Sequence, residues 1–189
     1  LGGGCIYYLN DNSSNRDEIE IDGNAGDWAN IDIKELVTES SNSNIDLEAV
    51  ATFEDEVYLS ILTVTKEPLF FSPDGHTLRI FIDTDESSKT GYFVPGMGAD
   101  YMVEVYGQKS PTSTNVTIMS SVLYSFDDSR DNNDWNSFFP ISNIETAAKS
   151  KHIECRIPLF DISSTQSSPK RIAWQTSDGV SDTDISEII

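Results

Sequence analysis

Positive charge is scarce in this chain: 12 Lys and Arg stand against 32 Asp and Glu, a formal charge of -20 over 189 residues. A field of that sign repels phosphate backbones and anionic lipid alike, so nucleic acid is excluded as a partner. It attracts divalent cations and cationic partners, and it equally suits a plain solvated acidic face. Long apolar runs are missing as well. No stretch approaches the ~20 residues that a membrane-crossing helix needs, so membrane insertion is not expected. The first nine residues lack the basic start and apolar stretch of an intact signal peptide, so an exported chain would already have lost its leader. The catalytic phrases Gly-x-Ser-x-Gly, His-Glu-x-x-His, Cys-x-x-Cys and the phosphate loop are all absent from the sequence. A pair of carboxylates for glycoside cleavage needs no sequence proximity, but 32 acidic residues make such pairs by chance. The expectation is a protein that is not an enzyme.

Cysteine and histidine are nearly absent too. The two cysteines, Cys5 and Cys155, stand far apart. They are the candidate pair for a bridge tying the N-terminal tail to a late strand, the alternatives being a buried free thiol at Cys155 or pairing between subunits. His76 and His152 are the only imidazoles, so a metal site here would be built from oxygen.

What the chain does have is β-pattern. The hydrophobic fraction is 38%, with nine Phe, seven Tyr and three Trp, enough for a core and against intrinsic disorder. Apolar residues alternate over 18–21, 45–53, 57–64, 77–83, 100–106, 116–126, 151–157 and 171–176, separated by turn pairs such as Asp22-Gly23 and Pro73-Asp74-Gly75. With Cys5 to Leu9 this makes about nine strands at sandwich spacing, so the expected fold is an all-β antiparallel sandwich, jelly-roll or immunoglobulin-like, over 18–189. Residues 1–17 are expected to form an extended N-terminal tail. Cys155 shares a strand face with Ile153 and Ile157 and should point inward. A short helix is expected over Asn143 to Lys149, capped by Asn143.

Four phrases carry a resemblance. Ile21-Asp22-Gly23 with Asp27-Trp28, Ile82-Asp83-Thr84-Asp85 continuing to Thr90-Gly91-Tyr92, Gly98-Ala99-Asp100-Tyr101 with Val103-Glu104-Val105, and Glu154 with Ile157-Pro158-Leu159 occur in that order. Together they resemble family 9 carbohydrate-binding modules and the related DOMON-like β-sandwiches, as found in archaeal surface proteins. The resemblance implies a non-catalytic sandwich, often with calcium, with Trp28 as a structural anchor and, in the carbohydrate-binding members, aromatic residues gripping sugar. The loop Ser110 to Thr114, the acidic insert Asp127 to Asp134 and the tail depart from the pattern.

Three groups of residues are candidates for function. Asp83 and Asp85, two apart on one strand face, with Asp100 from the neighbouring phrase, form a candidate calcium site, the alternative being a turn whose carboxylates cap backbone amides. Trp135 and Trp174 are candidates for stacking on glycan, with core packing the other reading of Trp174. The acidic stretches Asp127 to Asp134 and Asp178 to Asp184 read as solvated loops. Asn12 and Asn115 head glycosylation sequons, which matter if the chain is exported. Finally, Cys5-Ile6-Tyr7-Tyr8-Leu9 is a glycine-flanked apolar strand with no hairpin partner of its own. One subunit inserting it into the open edge of the next would build a homopolymer, whereas pairing with its own sandwich would leave a monomer. The functional expectation is an extracellular or cell-surface structural subunit of a filament or surface layer; the alternative is a carbohydrate-binding module.

Overall fold

The fold is seen in a computed structural model that describes residues 19–38, 40–71, 75–110 and 116–189. The tail with the expected strand Cys5 to Leu9, both sequon asparagines Asn12 and Asn115, and the pair Pro73-Asp74 lie outside the described residues.

Among the described residues the chain is all-β, with thirteen strands linked by short 3₁₀ turns. They are β1 Lys34–Glu35, β2 Leu47–Glu54, β3 Tyr58–Thr65, β4 Thr77–Asp83, β5 Tyr92–Val94, β6 Met97–Ala99, β7 Tyr101–Lys109, β8 Val116–Phe126, β9 Phe138–Asn143, β10 Glu145–Lys149, β11 His152–Pro158, β12 Arg171–Ser177 and β13 Thr183–Ile185. One sheet runs β1-β2-β3-β11-β10, the other β13-β12-β4-β7-β8-β9, and β5-β6 is a separate hairpin. Every pairing is antiparallel. The long strands fall where the alternating runs predicted them. The additional ones are two- to six-residue pieces too short to show a period.

The main core lies between the sheets, where Leu59 and Ile61 of β3, Ile80 and Ile82 of β4, Val103 and Val105 of β7, Ile153, Cys155 and Ile157 of β11, and Trp174 of β12 interlock. Two smaller cores cover the outer faces. Ile19 and Trp28 pack on Ala49, Ala51, Leu62 and Val64, and the β5-β6 hairpin packs Val94, Met97 and Ala99 on Phe81, Met102 and Ala173. Strands covered on both faces need apolar residues at successive positions. That is why Ile61 and Leu62 follow one another in β3, and Ile80, Phe81 and Ile82 in β4, each serving the core on its own face.

The outer cover of the five-stranded sheet hangs on one buried carboxylate. Glu154 of β11 accepts the backbone N–H groups of Asp22 (3.0 Å) and Gly23 (2.6 Å) on Oε2 and the indole Nε1–H of Trp28 (2.7 Å) on Oε1. Gly23 is at φ +78°, and a Cβ there would lie 2.8 Å from the Lys149 nitrogen, so only glycine fits beneath this anchor. Two phrases distant in sequence thus meet at one side chain.

The expected helix over Asn143 to Lys149 is not formed. Asn143 ends β9 in one sheet and Glu145 starts β10 in the other, with Ile144 buried at the crossing and its N–H on the Ser121 carbonyl at 3.1 Å. A seven-residue stretch closes too few helical hydrogen bonds to stand alone. The edge of β11 offers it a full antiparallel partner, from Glu145 opposite Arg156 to Lys149 opposite His152.

Candidate functional site

Asp83, the last residue of β4, sits opposite Arg171 of β12, and Asp100 precedes the first residue of β7, which pairs with Ile82. This register brings the ends of β4 and β7 together. An Asx turn then closes on itself, with the Asp85 N–H donating to Asp83 Oδ1 at 3.2 Å. Asp85 therefore lies in the turn rather than on the strand face expected from its two-residue spacing, because the strand ends at Asp83. The three carboxylates nevertheless converge: one oxygen from each of Asp83, Asp85 and Asp100 falls within 4.8 Å of the others.

The oxygens already have protein partners. Asp83, fully buried, accepts from Nε of Arg171 at 2.9 Å and from its NH2 group. Asp100 Oδ2 accepts both the N–H and the hydroxyl of Thr84, each at 2.8 Å. Asp85 accepts the Ser87 N–H at 2.8 Å and the Thr90 hydroxyl at 2.9 Å. Burial pushes the Asp100 carboxyl above its ordinary range, the neighbouring charges of Asp85 and Asp83 add to this, and the Thr84 hydrogen bonds oppose it. The cluster thus carries more negative charge than Arg171 neutralises. An all-oxygen donor set of this kind suits a hard divalent cation. The loop is held from behind by glycine: a Cβ on Gly98 would lie 1.8 Å from the Thr90 carbonyl oxygen, and Asp128 of the acidic insert accepts the Gly91 N–H at 2.6 Å.

The two tryptophans proposed for glycan lie on opposite faces of the six-stranded sheet. Trp174 belongs to the central core and is fully buried, so it has no face to offer a sugar. That expectation is corrected: Trp174 faces the same way as Ile172 on β12, and that face is the interior. Trp135, 38% exposed, sits at the edge of the outer aromatic cluster against Tyr92, Phe81 and Phe138, with the Arg79 guanidinium 4.9 Å from its ring centroid. Cys155 is a free thiol, buried between the sheets and within 3.5 Å of the Thr146 hydroxyl, and burial raises its pKa to about 12. Of the three readings left open for the cysteines, the structure bears out the buried free thiol at Cys155 rather than a bridge from it, and Cys5 lies outside the described residues. In the acidic stretches, Asp127, Asp131, Asp134 and Asp178 each accept an N–H two residues ahead, which is the bonding of polar turns.

A second feature was missed in the sequence. Val57, Phe139, Ile141 and Phe160 stand 54%, 49%, 43% and 89% exposed. Phe139 and Ile141 belong to β9, an edge strand without a charged residue. The Ser142 hydroxyl donates to Asp161 at 2.9 Å, bringing the 3₁₀ turn Leu159–Ile162 and its Phe160 alongside. Leu159 in turn donates its N–H to the Val57 carbonyl at 2.8 Å. Neither β9 nor the distant turn that adds Phe160 to it was read from the sequence.

The chain matches no protein-family model and no curated protein sequence.

Proposed function

We propose that this chain is a non-catalytic structural subunit of an extracellular filament or surface layer, in which copies join by strand exchange on a sandwich stabilised by calcium. The observation that carries this reading is the pair of exposed apolar side chains Phe139 and Ile141 on the uncharged edge strand β9, with exposed Phe160 on the turn bonded to Ser142, in an otherwise strongly acidic chain. Single exposed apolar residues are ordinary, but two on an unpaired edge with a third on the turn beside it suit a surface that another chain covers. Asp83, Asp85 and Asp100 would hold the cation, which would lower the repulsion among them and fix the turn that joins β4 to the β5-β6 hairpin. The buried carboxylates support a structural role, since Glu154 spends its acceptors on Asp22, Gly23 and Trp28. Negative-stain microscopy of the native protein, with and without chelator, tests the reading. Filaments or sheets are expected, fraying when calcium is removed; dispersed monomers in both conditions refute it.

Trp135 sustains the second reading, a carbohydrate-binding module, because it is a half-exposed indole next to the polar side chains of Arg79, Glu104 and Gln175. A glycan that binds the native chain and is lost with Trp135→Ala would favour that reading over assembly.

A further inference from the structure

Among the described residues the two sheets end in four edges, and they are not equivalent. β1 has two residues, and its Lys34 is paired with Glu187 at 3.0 Å. β13 has three, and the Asp184 side chain accepts the Leu47 N–H at 2.8 Å, tying it to the opposite sheet. β10 carries Glu145, paired with Arg156 at 3.4 Å, and is crowded at Ala148-Lys149 by the backbone of Gly23. Short, charged or covered edges of this kind are closed to another strand. β9, six residues and uncharged, is the exception among the described edges: only Pro140 and a register shift against β8 at Leu123/Tyr124 interrupt it, and the Ser142 to Asp161 hydrogen bond brings the turn that carries Phe160 beside it. Pro140 in β9 lacks an N–H, so pairing β9 with a second β9 loses ladder bonds from both strands; a different segment is the better complement.

We infer that the β9 edge, with Phe160 beside it, receives residues Cys5 to Leu9 of a second copy of this chain. This rests on the self-assembly proposed above and names its acceptor. The donor run lies in residues 1–10, which hold no charged side chain, whereas most of this chain would bring carboxylates against Asp161. Alternate donor side chains would meet Phe139, Ile141 and Phe160, so affinity comes from apolar contact more than from a full ladder. The first described residue, Ile19, has its carbonyl on the Arg156 guanidinium, next to Glu145 and hence close to the end of β9. The nine residues between Leu9 and Ile19 span up to roughly 30 Å when extended, enough to bridge to a neighbour. Each copy then offers one donor and one acceptor, and the contact repeats without closing.

The test uses the native Cys5 thiol, since Cys155 is buried between the sheets. Full-length Ile141→Cys is treated with a short bismaleimide under native conditions and run on a denaturing gel. A ladder beyond dimers is expected, absent from the wild type, from Cys5→Ser/Ile141→Cys, and from the control Ile33→Cys beside β1. A faster-migrating, internally cross-linked monomer would show that the segment docks on its own chain and overturn the inference. Polymers visible by microscopy without cross-linking at residue 141 would place the acceptor elsewhere while leaving self-assembly intact. Monomers by both methods would overturn the proposed function itself.

Discussion

Replacing Glu154 by Ala strips three donors of their acceptor at once. The Trp28 indole N–H and the Gly23 N–H are buried, and the Asp22 N–H is partly so. A buried donor left without a partner costs about 1 to 3 kcal/mol, so two full penalties and a halved third give about 2.5 to 7.5 kcal/mol. In a chain of this size each kcal/mol lowers Tm by about 2 to 4 °C, which puts the expected drop on the order of 10 to 20 °C. Glu154→Gln keeps the shape and one oxygen but turns an amide NH2 toward at least one of the donors, and roughly half the loss is expected. The pH dependence has a definite sign. Burial raises the Glu154 pKa above 4.5 despite the hydrogen bonds from Trp28, Gly23 and Asp22, so its contribution to stability is fully present below the unfolded value and is lost as pH rises through the folded one. The gap between wild type and Glu154→Gln should thus be widest in acid and narrow toward neutral pH. Urea unfolding followed by tryptophan fluorescence measures all of this. A Glu154→Ala loss below about 1 kcal/mol would refute the idea that this carboxylate holds the outer cover.

Calcium at a hundred times its Kd should stabilise the native chain by about 2.7 kcal/mol, and Asp100→Asn should abolish the gain; an undiminished rise in Tm in that variant would remove Asp100 from the site. Trp174→Ala should cost about 3 to 5 kcal/mol in urea unfolding, as expected for a fully buried indole, and Trp135→Ala clearly less; equal losses would contradict their placement on opposite faces of the sheet. In a Cys5→Ser background the Cys155 thiol should show no reaction with a thiol reagent at pH 8 in the native state and full reaction in urea. Rapid native labelling would contradict a thiol raised to about 12 by burial.

Much of the sandwich was legible because its long strands carry period-2 runs, and β4 at Thr77–Asp83 matches its run residue for residue. The stretch Asn143 to Lys149 misled because Ala147 and Ala148 favour helix locally, while the partner that overrides them, β11, is set by tertiary packing. In the carboxylate cluster, Asp83, Asp85 and Asp100 were legible as oxygen donors on phrases that should be neighbours. Arg171, which neutralises Asp83 from 88 residues away, was not, since nothing local marks a strand pairing of that range. Trp174 shows the limit of composition: an indole suits a sugar platform and a core equally well, and only the facing direction of β12 decides. Phe160 was hidden for the related reason that its turn reaches β9 through the Ser142 to Asp161 contact.

The most direct measurement of self-assembly by strand exchange is sedimentation velocity on the full chain and on the chain lacking residues 1–10, at equal concentration in calcium. The full chain should sediment as a broad distribution of polymers and the shortened one as a single folded monomer. A shortened chain that still polymerises, or a full chain that stays monomeric, contradicts the exchange.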